Sequence, residues 1–150
     1  MESLEKTVDE KLNLGPVKAR LNDLQKEVQD EFSLNPDAFV AVRFVPISLF
    51  GDQLPQEVKS CRLSVMRAGT AYKRERHPNA DQYVRSLDGS GEIRVLEGEN
   101  WRIDRLGPSE ELMWHCVPAG TWHQPVPSEQ SHWYVLAFHT ADQVFDEYME

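Results

Sequence analysis

The apolar positions of this chain follow two different periods. Through Phe32 they recur at helical spacing. Val17, Leu21, Leu24, Val28 and Phe32 step by four, three, four and four, which puts all five on one stripe of a helix. Asp23, Lys26, Glu27 and Asp30 fill the opposite side, and Gly15-Pro16 supplies a first-turn proline. Helices are therefore predicted over residues 3–12 and 16–32, with Asn35-Pro36 ending the helical region. The stripe has two readings: a helix laid on the outside of a β-domain, or a helix that builds a homodimer.

From residue 38 the period becomes two. From Ala38 to Leu49 the stretch AFVAVRFVPISL reads as β, Val40, Val42 and Phe44 alternating with Ala41, Arg43 and Val45, and Pro46 suits an edge or a bulge. In CRLSVMRAG, Leu63 and Val65 share one face while Arg62 and Ser64 share the other. QYVRSL is a further strand, and GEIRVLEGENWRIDRL reads as two strands joined at Glu97-Gly98-Glu99. ELMWHCV and HWYVLAFH complete roughly eight short strands, and the closing ADQVFDEYME reads as a short acidic helix. Short strands separated by glycine and proline turns predict a double-sheet jelly roll or barrel. The division expected is a helical extension over residues 1–37 and a β-barrel domain over residues 38–150.

Composition narrows the partners. The chain has 150 residues, enough for one domain with a real core, and a formal charge of −9. That charge argues against a nucleic-acid surface, which needs clustered Lys and Arg. No apolar run approaches the roughly 20 residues of a membrane span. The acidic start MESLEKTVDEK lacks an apolar signal region, so a cytoplasmic protein is expected. Cys61 and Cys116 read as reduced thiols in preference to a disulfide.

The chemistry concentrates in two stretches. In GTAYKRERHPNADQYVRSLDG, Glu75 and His77 are two apart, so on an extended strand both leave the same face. Gln82 opens the next strand. In PAGTWH a turn at Pro118-Ala119-Gly120 delivers His123 onto another strand. Glu75, His77 and His123 would make a facial set of two imidazoles and one carboxylate. That set suits Fe(II) with open positions and also admits Mn, Ni, Co or Zn. Gln82 would be a fourth neutral ligand or would orient a bound water. The alternative is a decayed site, with Glu75 as a solvated ion pair within KRERH and the histidines structural.

These stretches resemble the two motifs of the cupin superfamily. Gly69, Glu75, His77, Gln82 and Gly89 reproduce the spacing of the first motif, and Pro118, Gly120 and His123 the core of the second. Glu75 stands where that family has a first histidine, Gln82 where it has a glutamate, and Pro127 where it has an asparagine. The resemblance implies a mainly β, cupin-like double-stranded β-helix and a divalent metal at the barrel centre. Dioxygenases, decarboxylases, lyases and isomerases all occur on that fold. The expectation is a metal-dependent enzyme acting on a small organic substrate, with a dioxygenase slightly preferred. Its alternative is a non-enzymatic barrel that binds a small molecule.

Further candidates follow from alternation. If Gln82 faces inward, Val84 and Ser86 do too, while Tyr83, Arg85 and Leu87 face out. Tyr72, Trp114, Trp122 and Trp133 would wall an aromatic pocket or pack the core. His115, His139 and Tyr72 are the candidate proton carriers, and His132 is expected at the surface.

Overall fold

A computed structural model describes residues 1–107 and 112–150. Two helices lead the chain, α1 over Glu2–Leu12 and α2 over Gly15–Leu34. Strands follow as β1 (Val40–Val45), β2 (Ser60–Met66), β3 (Glu75–Arg76), β4 (Gln82–Asp88) and β5 (Gly91–Glu97). The remainder are β6 (Asn100–Leu106), β7 (Trp114–Val117), β8 (His123–Pro127), β9 (Trp133–His139) and β10 (Glu147–Tyr148). They form two five-stranded antiparallel sheets, ordered β1-β2-β9-β4-β7 and β10-β3-β8-β5-β6. This is the expected jelly roll, with consecutive strands repeatedly crossing from one sheet to the other.

The helices decide which face of the first sheet is inside. The α2 stripe Val17, Leu21, Leu24, Val28 and Phe32 is buried throughout. Leu21 and Leu24 join Leu4 and Val8 of α1 in one core cluster with Leu63, Leu136 and Phe138 of the sheet. Val28 and Phe32 pack with Ala41, Val65 and Tyr134. The stripe is thus occupied within the chain, at about 2 kcal/mol for each large side chain removed from water. Asp9 fastens α1 to the sheet by accepting from Arg85 Nε at 3.0 Å and Trp114 Nε1 at 3.1 Å. Arg67 donates to the carbonyls of Phe32, Asn35 and Ala38, closing the end of α2 where helix carbonyls lack partners.

With that face covered by helices, the opposite face of β2, β4 and β9 looks into the barrel. β9 is consequently buried at every position from Trp133 to His139. Arg62 and Ser64 face the cavity, whereas Leu63 and Val65 face the helices.

Three expectations need correction. The segment read as a C-terminal helix is not one. It runs irregularly to β10, where Glu147 pairs with Arg76 and Tyr148 with Glu75, adding an edge strand to the second sheet. The Arg76 guanidinium holds that edge by donating to Glu147 at 3.0 and 2.8 Å. The first β segment stops at Val45, because Pro46 leads into a single 3₁₀ turn over Ile47–Phe50. His132 is half-buried, its Nδ1 accepting from the Ala68 amide at 2.9 Å.

Candidate metal centre

Backbone pairing brings the two motifs together. Glu75 on β3 lies directly opposite His123 on β8, so their side chains project side by side into the barrel. His77 follows immediately after β3, and its carbonyl accepts from the Gly120 amide at 2.9 Å. The same turn is held from the other side by Asp81, whose Oδ1 accepts from the Ala119 amide at 2.8 Å.

One donor atom from each of Glu75, His77 and His123 lies within 4.8 Å of the other two. The Glu75 Oε1 atom is 3.4 Å from His123 Nε2 and 3.8 Å from His77 Nε2. Donors about 2.1 Å from one ion stand about 3–3.4 Å apart, so the Glu75–His123 pair is already at that spacing and the set as a whole must draw together to hold a metal.

The chemistry of the donors points the same way. Both Nε2 atoms are buried with no hydrogen-bond partner. Both Nδ1 atoms, by contrast, are engaged. His123 Nδ1 lies 3.0 Å from the Thr121 carbonyl, and His77 Nδ1 lies 2.9 Å from Asp146 Oδ1 and 3.3 Å from the Phe145 carbonyl. An imidazole that donates from Nδ1 presents a lone pair at Nε2, which is the form that binds a metal. Leaving two buried nitrogens unmatched is otherwise unfavourable.

Asp146 was not legible as a site residue, because its segment reads locally as helix. Its carboxylate orients His77 from behind. Replacing Asp146 with asparagine is expected to weaken metal binding about 10- to 100-fold, measured by Mn(II) titration calorimetry. Unchanged affinity would remove Asp146 from the support of His77.

The cavity around the three donors measures ≈170 Å³ and draws its walls from both sheets. Tyr72, Gln82, Trp133 and His139 line it, and so do Arg62 and Asp146. Trp133 donates from Nε1 to Ser86 Oγ at 2.9 Å, placing Ser86 inside as alternation predicts. Trp114 lies outside against Asp9, and Trp122 stacks under the Arg76 guanidinium at 4.6 Å. His115 is not in the cavity lining; its Nε2 meets Asp104 Oδ2 at 2.8 Å.

Gln82 Oε1 lies 2.8 Å from His139 Nε2. As placed, the Gln82 oxygen is engaged by His139, so Gln82 stands beside the three donors as a neutral amide. Burial, then the neighbouring His77, Arg62 and His123 charges, depress the His139 pKa to about 3. His139 is therefore neutral at physiological pH and positions Gln82. The Tyr72 hydroxyl is pushed upward by burial and by its hydrogen bond to Tyr148, so it remains a donor.

These shifts set a pH dependence for the metal-free protein. The unfolded chain takes up a proton at a histidine near pH 6.5, whereas His139 in the folded chain does not until about pH 3. Stability is full above pH 6.5 and falls as pH is lowered, by about 1.4 kcal/mol per unit for this group. His115, also held below its usual value by burial, steepens the fall. Urea midpoints between pH 7.5 and 5 should show it, and His139→Gln should flatten the slope by about one proton. An unaltered slope in that variant would contradict the assignment.

No family model and no curated protein matches the sequence. Solved structures do match. Peruvianin-I, a cysteine peptidase from Thevetia peruviana latex, is 17% identical over 75% of this chain and 69% of its own, with a TM-score of 0.60. An oxalate oxidase in complex with glycolate is 14% identical over 75% of this chain and 56% of its own, with the same TM-score. Bacillus subtilis oxalate decarboxylase, a protein with Mn(II) centres, is 14% identical over 75% of this chain and 29% of its own, at 0.60. The chain thus spans about half of the oxidase and under a third of the decarboxylase. No helix among the described residues is long and apolar enough to cross a membrane. Likeness at these identities establishes the fold alone, a cupin-like jelly roll.

Proposed function

We propose that the protein is a metal-dependent enzyme acting on a small organic molecule inside the barrel, with Glu75, His77 and His123 as metal ligands. The observation that carries this reading is the pair of buried, unpartnered Nε2 atoms facing one carboxylate, each imidazole fixed through Nδ1. Two imidazoles and one carboxylate favour Fe(II) or Mn(II), and the Mn(II) centres of the structurally similar decarboxylase support manganese. A divalent ion there supplies Lewis-acid polarisation of a substrate oxygen and, as iron or manganese, redox chemistry with dioxygen. An oxygen-using reaction is the preferred class.

The chain's own residues bind and orient. Val84, Ile93 and Val135 wall the cavity with apolar surface that excludes water. Tyr72 and the Gln82 amide offer hydrogen bonds to a substrate beside the metal ligands. The test is oxygen uptake and product formation by Fe(II)- or Mn(II)-loaded protein with small enol, catechol and keto-acid substrates, wild type against Glu75→Gln. Turnover that is lost in the variant supports the reading. Tight metal binding without turnover would make the barrel a small-molecule-binding protein instead.

A further inference from the structure

Arg62 is the one arginine or lysine among the described residues that lines the cavity. On β2 it stands opposite Ala137 of β9, and His139 lies two residues further along the same inward face.

Among the described residues the Arg62 guanidinium has no ion-pair or hydrogen-bond partner, a state it shares with Arg20 and Arg74, but of the three only Arg62 lines the cavity. Arg67 is spent on three carbonyls, Arg76 on Glu147, Arg85 on Asp9 and Arg102 on Glu97 and Asp104. The contact of Arg62 is the Phe44 ring, 5.8 Å from Cζ to the centroid. Arg62 is half-buried, and its planar set of five N–H donors on the cavity wall fits a carboxylate through two parallel hydrogen bonds. The cavity's own carboxylates are committed elsewhere, Glu75 facing the two unpartnered imidazoles and Asp146 against His77. A divalent ion bound by Glu75 would leave an excess of positive charge inside. At ≈170 Å³ the space is below the roughly 300–1,000 Å³ of ordinary small-molecule pockets, so its occupant is small.

We infer that Arg62 anchors a carboxylate of the substrate, making the substrate class small organic anions that reach from the β2 wall to the ion held by Glu75, His77 and His123. The second half of this statement rests on the metal reading above; the Arg62 anchor itself does not.

The experiment uses glycolate and its neutral amide, glycolamide, as probes. Each is titrated into the full chain with and without Mn(II), for wild type, Arg62→Met and Arg62→Lys, after thermal melts and Mn(II) titrations on all three. Wild type should prefer glycolate about 10- to 100-fold, Arg62→Met should lose that preference, and Arg62→Lys should retain part of it. Mn(II) affinity should be unchanged across the set. Equal preference in wild type and Arg62→Met, or no preference in wild type, would overturn the anchor. Failure of wild type to bind Mn(II) would sink the metal reading alone, because the metal-free titrations still decide the role of Arg62.

Discussion

Replacing His123 with alanine is expected to weaken Mn(II) or Fe(II) binding by at least about 100-fold, beyond the 10- to 100-fold typical of losing a group that only supports a ligand. The reason is geometric. His123 Nε2 is buried, lies 3.4 Å from Glu75 Oε1 and has no hydrogen-bond partner to lose. Its Nδ1 contact to the Thr121 carbonyl at 3.0 Å is local to its own strand entry. The substitution therefore removes a proposed metal donor while leaving the Glu75–His123 backbone pairing intact. His77→Ala should behave alike, with the additional loss of its contact to Asp146. Titration calorimetry of the two variants beside wild type checks this, with circular dichroism to confirm folding. Variants that bind the ion as tightly as wild type would remove these histidines from the ligand set.

Gly89→Ala should be the most damaging small substitution in the barrel. Gly89 turns β4 into β5 with φ +75°, a left-handed conformation that costs a residue with a Cβ about 1–2 kcal/mol. A Cβ there would lie 2.2 Å from the His132 carbonyl oxygen and 3.2 Å from Trp133 Cα. Neither atom is free to yield. His132 is tied to the Ala68 amide through its ring, and the Trp133 indole is tied to Ser86. Overpacking adds about 1–3 kcal/mol, so a total loss of about 2–5 kcal/mol and a Tm lower by about 10 °C are expected. Urea unfolding measures it directly. A loss under about 1 kcal/mol would mean that the β9 entry moves more easily than its hydrogen bonds imply.

The sequence was informative where the physics is periodic or the spacing short. The Val17–Phe32 stripe, the alternation around Leu63 and Val84, and the separations Glu75–His77 and Pro118–His123 all translate into structure without long-range information. In and out were harder to assign on a sheet covered on both faces. Alternation separates Arg62 from Leu63, yet only the docking of α1 and α2 reveals that Arg62 is the one facing the cavity. The C-terminal segment shows a different limit. Locally, ADQVFDEYME has acidic helical character, but pairing of Glu147 with Arg76, some 70 residues away in the chain, draws it into a strand. That long-range pairing also brings Asp146 to His77, a contact no local pattern announces. The same holds for His115, whose partner Asp104 lies on a strand of the other sheet.

The most direct test of the central claim is elemental analysis of the protein purified without a metal-affinity tag, repeated after anaerobic reconstitution with Fe(II) or Mn(II). The account expects close to one equivalent of a divalent transition metal per chain in wild type, with little retained by His123→Ala. Wild-type protein that holds no metal before or after reconstitution would contradict it. Glu75, His77 and His123 would then be a buried polar cluster, not a metal centre.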